Sequence, residues 1–124
     1  MSVFRKAELE YLAGGQQLGR IATVGADGTP HVVPVAWIYN AAREAIDIGG
    51  YGLERSKKFR DVDRTGRAAI VIDDLASTDP WLPRGIEIRG RGEAIALPTP
   101  LIRIYPERIV SWGIEATRSA RSVE

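Results

Sequence analysis

A chain of 124 residues, 44% hydrophobic and 27% charged, has the size and make-up of one small globular domain. Its formal net charge of +1 argues against a dedicated nucleic-acid binder, and no apolar run approaches the roughly 18 residues that would span a bilayer. The absence of cysteine removes disulfide and thiolate chemistry, and the charged start MSVFRKAELEYL does not read as a secretory signal, so a cytoplasmic protein is expected.

At the N-terminus, Ser2 is placed to cap a short helix in which Phe4, Ala7, Tyr11 and Leu12 recur at helical spacing. LGRIATV (18–24) reads as a strand, GADGTP (25–30) as a hairpin turn, and HVVPVAWIYN (31–40) as a long returning strand interrupted at Pro34. A turn at NAARE leads to a third strand, AIDIGG (45–50), and residues 53–64 form a helix with Phe59 and Val62 inward. RAAIVID (67–73) reads as a buried strand because its apolar residues do not alternate, and DDLASTDPWLP as a loop rich in Asp, Ser and Pro. GIEIRGRGEAIAL (85–97) alternates as a half-exposed strand should. LIRIY and RIVSW then read as two short strands separated by Pro106, and EATRSARSVE as a frayed polar tail. The pattern is mainly β with two short helices, spaced as in a small antiparallel barrel. Residues 1–114 form one domain in this reading, and 115–124 form the tail.

Much familiar chemistry is missing. His31 is the single histidine, and HExxH, GxSxG, the phosphate-loop pattern GxxxxGK[ST] and a strand-borne GxGxxG are all absent. Asp61 with Asp63, and Asp73 with Asp74, are carboxylate pairs by count, without the acid/base partner that hydrolysis needs. His31 opens a strand directly after a turn and reads as an ordinary strand-end residue, with a role in a site as the alternative. An enzyme built this way borrows its reactive group from a cofactor.

One segment is conspicuous. ERSKKFRDVDRTGR (54–67) gathers Arg55, Lys57, Lys58, Arg60, Arg64 and Arg67 directly after Gly49, Gly50 and Gly52. Glycine lets a ligand approach the main chain, and a helix start with hydroxyl and cationic side chains suits a phosphate. The other reading is a solvated helix face, stabilised by the i,i+4 pairs Glu54–Lys58 and Lys57–Asp61.

The ordered segments LGRIATVGADGTPHVVPVAWIYN, IDIGG, SKKFRDVDRTGRAAIVIDD and RGIEIRGRGEAI resemble the pyridoxamine 5'-phosphate oxidase-like split β-barrel flavoproteins. The ending LIRIYPERIVSWG is similar to that of their subgroup that uses the deazaflavin coenzyme F420. The resemblance spans residues 4 to 114 and implies a six-stranded antiparallel split β-barrel, the FMN-binding type, that forms a homodimer with cofactor sites in the subunit interface. It implies that Arg55, Ser56, Lys57 and Lys58 hold the cofactor phosphate. Val33, Pro34, Val35 and Ala36 would border the isoalloxazine or deazaflavin ring, and Ile48, Gly49 and Gly50 would flank its other side. Thr23 matches a position where a hydroxyl meets the ring edge, with an ordinary strand residue as the alternative. Trp112 matches a position near the site contributed by the partner subunit, with a core or interface tryptophan as the alternative. Trp81 is either a lid or interface anchor or a pin for its loop.

The polar tail offers no obvious counterpart to the C-terminal substrate-phosphate residues of true pyridoxamine-phosphate oxidases, so pyridoxamine oxidation itself is not expected. The F420-like ending implies an F420-dependent oxidoreductase passing a hydride to a small unsaturated or conjugated organic substrate. FMN is the alternative cofactor, in an oxidase or reductase of the same fold, and a non-catalytic flavin- or deazaflavin-binding protein is the alternative class. No metal, nucleic acid or membrane partner is expected.

Overall fold

In the computed structural model, residues 2–15, 18–115 and 118–124 are described. The element order is α1 (Lys6–Ala13), β1 (Gly19–Val24), β2 (Pro30–Val35), β3 (Trp37–Asn40), β4 (Ala45–Ile48), a short 3₁₀ turn (Leu53–Arg55), α2 (Lys57–Thr65), β5 (Arg67–Thr78), β6 (Trp81–Ile95), β7 (Leu101–Trp112) and β8 (Ser119–Ser122). The strands lie in one antiparallel sheet in the order β2-β1-β5-β6-β7-β4-β3, with β8 added beside β7.

The two ends of that order are neighbours in the chain. β2 pairs with β1 at one end, Val35 opposite Gly19, while β3 pairs with β4 at the other, Trp37 opposite Ile48. Only Ala36 separates them, so one run of backbone serves both edges and closes the sheet into a split barrel. With β2 and β3 counted as one interrupted strand, the barrel has six strands, and closure protects edges that would otherwise be open to other chains. The interruption lies at Ala36 and not at Pro34, which stays in register opposite Arg20. β2 is held on one side by β1, so a proline here is tolerated as on an edge strand.

Inside, the barrel is filled largely with isoleucine. Ile21, Ile46, Ile48, Ile70, Ile72, Ile86, Ile88, Ile102, Ile104 and Ile109 are all essentially inaccessible. Branching at Cβ suits the pleated wall and fixes the side-chain rotamer. β5 alternates after all. Ala68, Ile70 and Ile72 face inward, while Ala69 and Val71 lie half-buried on the outer surface, so its unbroken apolar run covers both faces.

Four further expectations are corrected. Residues 75–84 are not a loop: β5 continues to Thr78 and pairs with β6 from Trp81 onward. Asp74 binds Arg84 across that ladder through two hydrogen bonds, 2.8 and 3.0 Å, and accepts from the Tyr11 hydroxyl of α1 at 2.8 Å. Cross-strand charge pairing thus holds the polar stretch extended. Pro106 does not divide β7, because a bulge near Gly90 absorbs it; a Cβ on Gly90 would lie 1.9 Å from the Tyr105 carbonyl oxygen. Ser2 accepts from the Phe4 amide at 3.0 Å, but Arg5 is the residue that starts α1.

Residues 118–124 of the tail, finally, are not frayed, since Ser119–Ser122 pairs with β7 as β8, while 116 and 117 lie outside the described residues. Arg121 reaches back to α1, donating to the buried Glu8 carboxylate at 3.0 Å from Nη1 and to the Val3 carbonyl at 2.9 Å. Glu8 also accepts from the Arg5 amide at 2.8 Å. Burial pushes the Glu8 carboxyl up, but the hydrogen bonds from Arg121, Arg5 and Ser111 outweigh it and hold the group below its ordinary value of 4.5.

Replacing Arg121 by Ala leaves that carboxylate buried without its cation, and should cost about 3 kcal/mol in urea unfolding at pH 7. Because Glu8 is held below its ordinary value, its contribution is complete above about pH 5 and is lost as pH falls below 4.5. The stability profile of the Arg121→Ala variant should be flatter through that acid range; an unchanged slope would show that the pair does not carry it.

Candidate functional site

α2 begins with a well-made cap. The Ser56 hydroxyl accepts from the Phe59 amide at 3.2 Å and donates to the Leu53 carbonyl at 2.6 Å, and Gly66 closes the helix in the left-handed conformation. Ser56 is therefore spent on the backbone, and the helix proper starts at Lys57, later than the expected 53. Gly92 leaves room for α2 to seat on the barrel, since a Cβ there would meet Val62 Cγ1 at 2.9 Å.

α2 and the β1–β2 hairpin face each other across a cavity of about 440 Å³, whose lining includes Thr23, His31, Val32, Val33, Lys57 and Lys58. A second cavity of about 400 Å³ includes Ala36, Trp37, Ile48, Gly49, Gly50 and Leu101. Both volumes lie in the range of small-molecule sites. Three residues of strand, or about 10 Å, separate Val33 from Ala36.

The thirteen residues singled out from the sequence thus divide. Thr23, Val33, Lys57 and Lys58 share the first cavity, and Ala36, Ile48, Gly49 and Gly50 the second. Pro34 lies between them on the outer face, and Val35 turns into the core. Arg55 is exposed, with its guanidinium 3.2 Å from Glu54. Trp112 lies at the far end of β7 opposite Gly85, its ring filling the space a Cβ on Gly85 would take. Neither Arg55, Ser56 nor Trp112 is among the residues lining these two cavities.

Behind the first cavity sits a residue that sequence reasoning passed over. Asp61 is buried, and its Oδ2 accepts from Thr23 Oγ1 at 2.8 Å and from His31 Nδ1 at 2.9 Å. Arg64 approaches Oδ1 at 3.4 Å and donates to the Val24 carbonyl, tying α2 to the end of β1. The i,i+4 pairing of Lys57 with Asp61 expected from spacing is replaced by this inward cluster. Burial pushes the Asp61 carboxyl up, yet the hydrogen bonds from His31 and Thr23 hold it below the ordinary carboxylate range. An ionised carboxylate only accepts, so His31 Nδ1 carries the proton.

A signal for this was present. Lys58, Asp61, Val62 and Thr65 recur at i, i+3, i+4 and i+7, the spacing of one helix face. A carboxylate on an inward face needs a hydrogen-bonding partner, and the lone histidine on the facing hairpin supplies it.

Residues 6–123 match the family model described as pyridoxamine 5'-phosphate oxidase. A 5a,11a-dehydrotetracycline/5a,11a-dehydrooxytetracycline reductase from Streptomyces rimosus subsp. rimosus is 42% identical, over 94% of this chain and 87% of that protein. Among solved structures, a conserved hypothetical protein from Mycobacterium tuberculosis superimposes with a TM-score of 0.72 at 20% identity, over 90% of this chain and 86% of that one. An F420 reductase superimposes with a TM-score of 0.62 at 19% identity, over 81% of this chain and 94% of that one. The fold is thus the split β-barrel of flavin-type oxidoreductases, and the class of protein is an oxidoreductase. The chain belongs to the pyridoxamine 5'-phosphate oxidase family. No helix among the described residues is long and apolar enough to cross a membrane.

Replacing Thr23 by Val removes one hydrogen bond to a buried carboxylate at nearly constant volume. It should lower unfolding stability by about 1.5–3 kcal/mol at pH 7, the range for bonds to charged groups. Chemical denaturation measures this, and an unchanged midpoint would mean that Asp61 recruits another donor.

Proposed function

We propose that this chain is a homodimeric reductase that uses coenzyme F420, with FMN as the alternative cofactor, to pass a hydride to an unsaturated, conjugated organic molecule. The observation that carries the reading is the pair Lys57 and Lys58 at the start of α2, lining one cavity with the outer residues of the β1–β2 hairpin. The residues present suit a flavin-type group. Two ammonium groups at a helix start suit a phosphate. The backbone at Gly49 and Gly50 borders open space: a Cβ added at either would meet nothing within 4 Å beyond its chain neighbours.

In this reading Lys57 and Lys58 hold the anionic part of the cofactor, and Arg55 adds charge from the adjoining turn. Val33, Pro34, Val35 and Ala36 offer main chain along one side of the ring. Ile48, Gly49 and Gly50 let the ring approach the backbone on the other. Val32 and Val33 present aliphatic surface that keeps water from the ring's neighbourhood. The cofactor itself supplies the hydride when bound, which fits a chain with one histidine and no cysteine. F420 is preferred over FMN because its longer anionic tail suits the spread of basic residues from Arg55 to Arg60. The substrate class follows the Streptomyces relative, a reductase of dehydrotetracyclines.

Dimerisation is supported by apolar side chains left in water, Val32 on β2 and Leu97 in the connection between β6 and β7. Val32 is 66% exposed and Leu97 is 81% exposed. Trp112 and the exposed Trp81 are available to such an interface.

Titration of the purified protein with F420 and with FMN, followed by tryptophan fluorescence, tests the cofactor. Tight binding of F420 is expected. Tight binding of FMN alone would move the assignment to flavin chemistry, and binding of neither would return the basic helix to a solvated face. The double variant Lys57→Ala, Lys58→Ala should weaken binding about 10- to 100-fold, the loss of one or two charge-assisted contacts, without lowering the melting temperature. Unchanged titration curves would remove the phosphate assignment. Light scattering should give a dimer; a monomer that still binds tightly would overturn the interfacial site.

A further inference from the structure

His31 has no part in the proposed function so far, yet it is the most carefully held side chain at the first cavity. Its Nδ1 is fixed by Asp61 at 2.9 Å, and Asp61 is itself fixed by Thr23 and approached by Arg64. The other edge of the ring lies against Gly25, where an added Cβ would come within 2.6 Å of Cε1 and 3.3 Å of Nε2. Gly25 is not in the left-handed conformation, unlike Gly28 at φ 86° in the same turn. The turn therefore needs Gly28 for its backbone, whereas Gly25 supplies the room the imidazole occupies. The side chain is 24% exposed and lines the same cavity as Lys57 and Lys58.

We infer that His31, oriented by Asp61, is a third donor to the anionic part of the ligand held by Lys57 and Lys58, and that its protonation gates the affinity of that site. The inference rests on the proposed anion-binding role of the two lysines and adds a form of regulation to it. Imidazole is the side chain whose charge ordinarily changes between pH 5 and 8. With Nδ1 already committed to Asp61, the proton that comes and goes is on Nε2. Protonated, His31 adds a positive charge and an N–H donor beside the two lysines. Neutral, it presents a lone pair at Nε2, which cannot donate to an anion.

Charged groups surround it. On α2, Asp61 holds the ring, Lys57 and Lys58 line the same cavity, and Arg64 approaches Asp61. In the hairpin turn, Asp27 lies near Lys57 and near the space beside Gly25. A bound anion adds negative charge against these cations, so binding and protonation reinforce each other, and linkage makes the effect reciprocal.

The experiment measures dissociation constants of FMN and of F420 at pH 5.5, 7.0 and 8.5 for the natural protein, His31→Gln and Gly25→Ala. Taking the ratio of variant to natural protein at each pH cancels any titration of the ligand. The ratio for His31→Gln should be about tenfold at pH 5.5, the worth of one charged donor, and fall toward one at pH 8.5. Gly25→Ala, which keeps the imidazole but displaces it, should show the same trend. The single histidine gives a second readout without assignment: at pH 7.0 its Cε1–H resonance should move toward its low-pH position when ligand is added. A ratio that stays constant with pH, or a resonance that does not move in a protein that binds, overturns the gating and leaves the lysine site standing. Absence of binding at every pH overturns both. Equal weakening by His31→Gln at all pH values with a lowered melting temperature identifies His31 as a structural residue and also overturns the inference.

Discussion

A single run of chain, residues 30–40, is shared between two edges of the same sheet, and the rest of the molecule is arranged around that sharing. A flat sheet could not satisfy it, because β1 and β4, the partners of β2 and β3, would lie at opposite margins. Curling brings the margins together, and the run can cross from one to the other at Ala36. Closure then dictates an inside and an outside for every strand. Isoleucine fills the interior, and two of those isoleucines, Ile21 and Ile48, also border the candidate cavities.

The second organising contact is the buried carboxylate of Asp61. A charge taken out of water is expensive, and the cost is offset only if hydrogen bonds satisfy it. Thr23 and His31 do so from two strands of one hairpin, and Arg64 links the same helix to the end of β1. The cluster therefore fixes the helix relative to the hairpin. Lys57 and Lys58 are held opposite Val32 and Val33 by a contact made one turn further along α2. Apolar packing of Val62 against Gly92 supplies area, whereas the carboxylate, being directional, supplies register.

How much of this could be read from the sequence depended on the range of the interactions involved. Local signals carry the Asp-Gly turn at 27–28 and the alternation from Gly85, both set by nearest neighbours, whereas the helix expected from 53 starts at Lys57. A small antiparallel barrel follows from the spacing of these pieces, and its six strands from the resemblance alone. Most of the readings that failed turn on partners far away in sequence; the cap expected at Ser2 fails locally, because Arg5 starts α1. Pro106 looks like a strand break until Gly90 is placed opposite it. The polar stretch 75–84 looks like a loop until Asp74 is seen across from Arg84. The tail looks free until Arg121 meets Glu8 more than a hundred positions earlier. The sequence leaves Asp61 as a carboxylate by count, or as one partner of an i,i+4 pair if the face is solvated, because the face it lies on is defined by packing and not by composition. The cavity that joins Lys57 and Lys58 to Thr23 and Val33 is legible only once the helix is seated.

The pleat of β2 has a consequence for how such a protein changes over generations. Along residues 32–35, Val33 and Val35 point to one face, where Val35 supports the barrel, while Val32 and Pro34 point to the other and are exposed. Exchanges at the exposed positions remove little buried area, and surface exchanges of that kind ordinarily shift stability by about 0.5 kcal/mol or less. Exchanges at Val35 or Ile21 would open the core. Recognition can therefore drift from one ligand shape to another while the scaffold stays under separate selection, and lineages sharing this barrel can diverge in what they accept without passing through unfolded intermediates.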